Sequence, residues 1–315
     1  MNEPLKHALK AWGAQHVRMI KDRENAVHEV RIAGKPAALR LHRPGYQSEA
    51  AIRSELDWMG ALAKKGMRVP APIALPSGDT VLVLGENQSA TMVSWVEGAP
   101  IGEGGVPLQG TAEEQAALYR NVGAELAKLH NLTDEITLPE GFTRHRWDIP
   151  GLLGDDPFWG RFWECPALSE DERNMVLRAR AVAHDLASVF LENGADFGLI
   201  HADALRENVF IHNGLLTLID FDDAGFGFRL YDLAVMMTQN VDEPAYEAIK
   251  TAALAGYQDH RALSQEAEHL LPMFLMMRRF ASMGWAVPRY DPTGPEVANY
   301  TQKAVTAARD FLAKA

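Results

Sequence analysis

Cysteine is nearly absent from this sequence, since Cys165 is the only one among 315 residues. A single cysteine cannot form an internal disulfide or supply the thiolate cluster of a structural zinc site. Long hydrophobic runs are also missing. The most apolar late stretch, residues 270–277, contains Pro272 and is far too short to span a bilayer. The first residues lack the basic and then apolar pattern of a signal peptide, so we expect a cytoplasmic protein with no membrane partner.

A surplus of basic charge is lacking as well. The chain carries 31 Lys and Arg against 42 Asp and Glu, which gives a formal net charge of −11. Nucleic-acid-binding proteins usually show the opposite balance, so the charge argues against a nucleic-acid partner. Hydrophobic residues make up 47% of the chain and charged residues 23%, an ordinary mixture for a folded globular protein.

The first hundred residues show the pattern of a small α+β unit. Two apolar runs, 27–32 and 38–41, flank a Gly-Lys-Pro turn and predict a β-hairpin. Apolar residues recur at helical spacing over 48–65, with Gly66 as a stop signal. Residues 80–84 and 90–96 predict two further strands.

Helices dominate the remainder of the chain. Residues 111–114 have the form of a capping box and predict the start of a long helix. Further helices are predicted at 169–192, 228–240, 243–261, 264–285 and 295–314. An Asn-Gly pair at 213–214 between two apolar runs predicts a hairpin embedded among them. We therefore expect an N-terminal lobe at 1–97 and a larger, mostly helical lobe at 98–315.

Three oxygen-bearing side chains surround the embedded hairpin. Asp203 and Asn208 precede its first strand, and Asp220 follows its second. A hairpin returns the chain to its start, so these groups should lie near one another. Carboxylate and amide oxygens suit magnesium, and a further Asp can accept a proton from a hydroxyl group. Phosphoryl transfer needs this division of labour, whereas each residue taken alone is also a common turn former.

The motif His-x-Asp, four residues and Asn, followed by a strand ending in Ile-Asp-Phe at 219–221, resembles the aminoglycoside phosphotransferase and choline kinase superfamily. The segment 219–227 with Tyr-Asp-Leu-Ala at 231–234 is most similar to the branch of homoserine kinase-like enzymes and bacterial stress-response Ser/Thr kinases. The resemblance covers most of the chain. It implies a two-lobed protein-kinase-like fold, with a small antiparallel-sheet N-lobe, and ATP and Mg²⁺ as cofactors.

The resemblance also implies roles for individual residues. Asp203 corresponds to the catalytic Asp, and Asn208 and Asp220 to the magnesium ligands. Asp232 corresponds to a buried Asp that braces the catalytic loop, and His201 to a mainly structural residue. Asp222 could position metal or substrate, or could be a solvated loop charge.

The N-lobe departs from the family pattern at the nucleotide site. Arg40 stands where the family has a phosphate-binding Lys, and Glu55 matches the Glu that pairs with it; both could instead be surface residues. The loop at 21–25 that would cover the phosphates has no glycine, although Asn25 could assist. Backbone groups of Ser94 and Val96 would bind adenine.

The acceptor is the least determined feature. Aromatic residues at 147–163 could form a box for a cationic amine or could simply pack helices together. Arg278 and Arg279 could bind a substrate carboxylate or cap a helix end. We expect transfer of the γ-phosphoryl group of ATP to the hydroxyl of a small metabolite, an amino alcohol or hydroxy amino acid. The alternatives are a stress-response protein Ser/Thr kinase, a catalytically weakened nucleotide-binding regulator and, less favoured, an aminoglycoside-resistance kinase. The oligomeric state stays open.

Overall fold

The computed structural model describes residues 2–22, 25–85 and 87–314. Within it the chain forms two compact units, and each draws on separate stretches of sequence. The first unit combines the residues up to Ile101 with Asn131–Arg144 and Asn208–Asp222. The second unit comprises Gly102–His130, His145–Glu207 and the residues from Asp223 onward. The lobe boundary expected at residues 97 and 98 stays a prediction.

An antiparallel sheet of five strands forms the body of the first unit. Its strands are β1 Gln15–Asp22, β2 Asn25–Ile32, β3 Lys35–His42, β4 Val81–Gly85 and β5 Gln88–Ser94, in the spatial order β1-β2-β3-β5-β4. The predicted hairpin is the β2–β3 pair, in which Ile32 lies opposite Lys35.

Two helices belong to the N-terminal part of this unit. The first, α1 at Glu3–Trp12, was not expected from the sequence; Asn2 caps it, and its Leu5, Leu9 and Trp12 pack with buried residues of β3 and β5. The second, α2 at Glu49–Lys64, begins after the N-cap Ser48 and buries the predicted apolar stripe. It also buries the carboxylate of Glu55, whose side chain is only 1% exposed.

The remaining strands are short: β6 Ala99–Pro100, β7 His145–Trp147, β8 Phe197–Ile200, β9 Val209–His212, β10 Leu215–Leu218 and β11 Gly225–Phe228. The predicted Asn-Gly hairpin is β9–β10, and β6 pairs with the free edge of β9, all within the first unit.

The long helices of the chain follow the predicted pattern closely. They are α3 Ala112–Asp134, α5 Glu170–Glu192, α6 Arg229–Thr238, α7 Tyr246–Gln258, α8 Gln265–Ala286 and α9 Pro295–Leu312. A five-residue helix that the sequence did not predict, α4 Ile149–Leu153, lies between α3 and α5. The capping box before α3 is present, because Thr111 and Glu114 exchange hydrogen bonds between side chain and backbone. None of the described helices is long and apolar enough to cross a membrane.

A small mixed sheet in the second unit was not anticipated. In it β11 pairs in parallel with β7 and antiparallel with β8. Two glycines of β11 permit this close packing: a Cβ on Gly225 would lie 2.4 Å from the carbonyl oxygen of His145, and one on Gly227 would lie 2.6 Å from Ile200 Cδ1. The prediction of an α+β fold with an antiparallel N-terminal sheet and a mostly helical C-terminal region is confirmed.

Candidate active site

The loop that carries Asp203 begins where β8 ends, in the second unit. The buried carboxylate of Asp232, on α6, accepts hydrogen bonds from the backbone N–H groups of His201 at 2.8 Å and Ala202 at 2.6 Å. Ala202 has a left-handed φ of 62°, a conformation that costs a non-glycine residue about 1–3 kcal/mol. The hydrogen bonds to Asp232 hold the loop in this strained turn, the arrangement that the resemblance implies for this Asp.

A buried chain of polar groups continues behind Asp232. His130 Nε2 lies 3.0 Å from Asp232 Oδ2, and His130 Nδ1 lies 2.8 Å from the hydroxyl of Tyr257. Burial lowers the pKa of His130 to about 4, although Asp232 opposes the shift. Burial alone would raise the pKa of Asp232, but hydrogen bonds from His130 and from the His201 backbone hold it below its usual range. The pair therefore combines a carboxylate with a neutral imidazole at neutral pH.

Arg278, on α8, contacts the catalytic loop directly. Its Nη2 donates to Asp203 Oδ1 at 2.8 Å, and its Nη1 donates to the carbonyl oxygen of Ala202 at 3.1 Å. The sequence had suggested a substrate carboxylate or a helix end for this side chain. The neighbouring Arg279 donates to the carbonyl oxygen of Thr238. Both arginines thus have partners within the chain.

In the first unit, Arg40 lies on β3 opposite Glu55 on α2. The distance from Arg40 Nη1 to Glu55 Oε1 is 2.8 Å, and the two side chains are 9% and 1% exposed. Burial opposes the charge of Arg40, yet Glu55, Asp220 and Asp222 hold its pKa above the ordinary value. Arg40 and Glu55 therefore form a buried ion pair and are not solvated surface residues. The guanidinium of Arg40 remains charged.

Asp220 follows β10 and adopts a left-handed φ of 64°, rare for a residue other than glycine. Beside it, Ile219 N donates to the carbonyl oxygen of Asn208 at 2.9 Å, which joins the two predicted metal-binding positions through the backbone. Asp203 lies in the second unit, whereas Asn208 and Asp220 lie in the first.

Asp222 is a buried carboxylate in the same neighbourhood. Burial raises its pKa to about 7, and the charges of Glu55 and Asp220 push in the same direction. A cation beside these carboxylates would relieve their mutual repulsion. The oxygen-rich donors Asn208 and Asp220 fit a hard divalent ion that also binds phosphate oxygens. The described residues contain no cluster of three or more His, Cys, Asp or Glu that could hold a metal.

Two residues that sequence reasoning missed hold the segment around Asp222. Gln47 Nε2 donates to the carbonyl oxygen and to Oδ1 of Asp222, both at 2.9 Å. Arg144 donates to the carbonyl oxygens of Phe221 at 3.0 Å, Asp222 at 2.6 Å and Ala51 at 2.9 Å. Neither residue belongs to a recognisable motif, because their role depends on the stretch 131–144 joining the first unit.

Two of the residues expected to contact ATP, Ser94 and Asn25, already have hydrogen-bond partners within the chain. The N–H of Ser94 donates to the carbonyl oxygen of Ala71 at 2.8 Å, and the Ser94 hydroxyl accepts from the N–H of Ala71 at 2.9 Å. Val96 lies two residues beyond the end of β5 and is half-buried. Asn25 Oδ1 accepts from the N–H of Arg43 at 3.4 Å. Arg23 and Glu24, from the loop expected to cover the phosphates, lie outside the described residues.

The aromatic residues of the second unit mostly contact one another. Trp147 stacks on Tyr231 and meets Phe158 and Trp159 edge to face, with ring centroids 4.9–5.4 Å apart. Trp159 also faces the guanidinium of Arg278, 4.8 Å from its ring centroid. Packing accounts for these rings, and the cation in contact with Trp159 belongs to the protein itself.

Comparison with known proteins agrees with this geometry. Residues 17–265 match the model of the phosphotransferase enzyme family. A homoserine kinase of Rhizobium etli (strain CIAT 652) is 32% identical over 257 residues, which cover 79% of this chain and 72% of that protein. The structure of a microcompartment-associated aminopropanol kinase superposes with a TM-score of 0.82 and 27% identity, covering 98% of this chain and 97% of the other.

A third similar protein adds support for the fold alone. An amicoumacin kinase in complex with AMP-PNP, Ca²⁺ and Ami has a TM-score of 0.77 at 19% identity, covering 100% of this chain and 94% of that one. The family match confirms the resemblance drawn from the sequence motifs. The chain belongs to the phosphotransferase enzyme family and is an ATP-dependent kinase that acts on a hydroxyl acceptor.

Proposed function

We propose that the protein transfers the γ-phosphoryl group of ATP, with Mg²⁺, to the hydroxyl group of a small amino alcohol. The observation that carries this choice of acceptor is the engagement of Arg278 and Arg279. Both side chains that could have bound a substrate carboxylate donate instead to the chain itself. The similarity to an aminopropanol kinase over 98% of the chain supports the same acceptor class.

The described residues suggest a division of work. Asp203 orients the acceptor hydroxyl and accepts its proton. Arg40, held by Glu55, neutralises nucleotide phosphates. Asn208 and Asp220 would hold Mg²⁺, which when bound neutralises charge on the phosphates.

Three further residues are proposed to form part of the nucleotide site. The backbone of Val96 binds adenine, with Ser94 positioning that segment through its hydrogen bonds to Ala71. Asn25 lies at the start of β2, beside the loop expected to cover the phosphates. These contacts and the metal roles complete the proposed nucleotide site.

A hydroxy amino acid is the second candidate acceptor. The 32% identity to a homoserine kinase favours it, since that relative is covered over 72% of its length. It would require a carboxylate-binding group other than Arg278 and Arg279. A protein acceptor has no comparable observation in its favour.

A matched acceptor screen tests the proposal. Initial rates of ATP consumption are measured with aminopropanol, with propanediol as the same skeleton without its amine, and with homoserine. We expect the highest kcat/KM for aminopropanol and a marked loss for propanediol. A preference for homoserine would replace the first candidate with the second, and turnover of a peptide alone would overturn both.

The role of Asp203 has its own test. Asp203→Asn keeps the shape of the side chain but removes the charge that attracts the proton. General-base assistance is worth about 10²–10⁴-fold in rate, so single-turnover transfer should fall by that factor while the affinity for Mg-ATP is unchanged. Transfer at the wild-type rate would remove Asp203 from the mechanism.

A further inference from the structure

We propose that Arg278 is a positioning residue that fixes the carboxylate of Asp203 for phosphoryl transfer. The inference rests on the proposed role of Asp203 and assigns a task to a helix outside the matched part of the family. The family match ends at residue 265, where α8 begins, and Arg278 lies well inside that helix.

The guanidinium contacts the loop at two points. Nη2 donates to Asp203 Oδ1 and Nη1 to the carbonyl oxygen of Ala202, so one rigid group fixes both the carboxylate and the peptide before it. Such planar two-point contacts fix direction as well as distance. Arg278 is 4% exposed, and the ring of Trp159 covers the guanidinium. Its position is therefore defined by packing as well as by charge.

Ala202 shows why a second tether is needed. Its N–H donates to Asp232, and its carbonyl oxygen accepts from Arg278. The left-handed turn at Ala202 is thus held by a carboxylate on one polar group and a guanidinium on the other. Asp232 alone would leave the peptide that leads into Asp203 held at only one of these two points.

The charge on Arg278 is secure despite burial. Burial disfavours the charged form, but Tyr231, Asp203 and Asp223 hold the pKa of Arg278 above its ordinary value. A neutral side chain of similar length would therefore lose both hydrogen bonds and the electrostatic attraction to Asp203. A displacement of about 1 Å in a reacting group can cost about 10²-fold in rate.

The experiment compares Arg278→Met with Arg279→Met. The two arginines are neighbours on α8, and both donate to a backbone carbonyl group, but Arg279 makes its contact to Thr238. We expect Arg278→Met to lower single-turnover transfer about 10²-fold at unchanged Mg-ATP affinity, and Arg279→Met to keep the wild-type rate per folded molecule. Added guanidinium ion should restore part of the rate of Arg278→Ala. Arg278→Lys, which keeps the charge, should be intermediate.

Rescue separates positioning from a structural role, because free guanidinium ion would not refold a destabilised protein. Equal rates for Arg278→Met and Arg279→Met, or no rescue with correctly folded Arg278→Ala, would overturn the inference. If Arg278→Met does not fold, the rate of Arg278→Lys and the rescue of Arg278→Ala decide the question in the same way.

A double-mutant cycle distinguishes this inference from the proposed function. If Arg278 acts through Asp203, the losses caused by Asp203→Asn and Arg278→Met should not add. A fully active Asp203→Asn would contradict the proposed role of Asp203 itself. An inactive Asp203→Asn beside a fully active Arg278→Met would contradict only the role of Arg278.

Discussion

Arg40 Nη1 lies 2.8 Å from Glu55 Oε1, and this ion pair is buried between β3 and α2. The sequence resemblance matches this pair to a Lys and a Glu of the superfamily, which predicts that the positive charge is retained while the shape of the side chain has changed. A guanidinium presents several donors in a plane, and we expect it to bind Glu55 and a phosphate oxygen together.

The first prediction concerns Arg40. Arg40→Met should weaken ATP binding about 10–100-fold, because a hydrogen bond to a charged group is worth about 1.5–3 kcal/mol. Arg40→Lys should retain part of the affinity. Calorimetric titration with ATP measures the effect, and Arg31→Met, at an exposed position on β2, is the control. Equal affinities of Arg40→Met and the wild type would show that the pair is purely structural.

Loss of Asp220 should appear in the metal dependence. Excess chelator should abolish transfer, and Asp220→Asn should raise the Mg²⁺ concentration needed for half-maximal activity, because one anionic oxygen ligand is lost. The measurement is a magnesium titration of transfer at saturating ATP. Asp155→Asn, at an almost fully exposed carboxylate, provides the control. Unchanged turnover in chelator would contradict the metal requirement.

Asp232→Asn should reduce both stability and activity. Its carboxylate accepts two backbone N–H groups and contacts His130, all in a fully buried setting. A hydrogen bond to a charged group is worth about 1.5–3 kcal/mol, and the amide introduced by Asp232→Asn would leave at least one of these buried donors without an acceptor oxygen. Thermal unfolding should therefore shift to lower temperature, and by more than in Asp203→Asn, because residue 203 is partly exposed and its amide oxygen can still accept from Arg278. Equal unfolding temperatures for Asp232→Asn and the wild type would remove the bracing role.

Acid sensitivity should follow from buried histidine. The pKa of His130 falls from its ordinary value of 6.5 to about 4 on folding, because burial disfavours its charged form. Between these values the unfolded chain binds a proton that the folded chain does not, so stability is lost as pH falls from about 6.5 to about 4. His42, with a pKa lowered to about 3, acts in the same direction.

The measurement is the difference in unfolding temperature between pH 7.5 and pH 4.5. His130→Gln should show a smaller difference than the wild type, because a glutamine takes up no proton. His184→Gln, at an exposed position, should behave like the wild type. An undiminished pH difference in His130→Gln would show that other groups control the acid sensitivity.

Local sequence patterns were enough to predict most of the helices and strands and to single out the polar loop that carries Asp203. Helical spacing and caps located α2, α3 and the later helices, and the Asn-Gly pair located β9–β10. The pairing of β11 with β7 and β8 escaped prediction because these strands are only three or four residues long and distant in sequence. No periodicity can be detected over such lengths.

The contacts at the site that the sequence did not predict join residues that are distant in sequence. The contact of Arg278 with Asp203, and that of Arg144 with Asp222, join residues about 75–78 positions apart. Neither arginine belongs to a local sequence motif, because the role of each depends on which helices and loops pack together. Arg40 and Glu55 were within reach because the family resemblance pairs these two positions, and strand alternation indicates which way Arg40 faces.

The first unit is assembled from three separate stretches of sequence, and this affects how the chain folds while it is being synthesised. Ala99 pairs with Ile211, and Arg144 binds the backbone of Phe221 and Asp222. A growing chain therefore cannot complete the unit that contains Arg40 until residues up to 222 have left the ribosome. Until then β6 lacks its partner strand, and its backbone groups are open to pairing with other chains. Folding of the first unit is thus tied to translation of more than two thirds of the sequence.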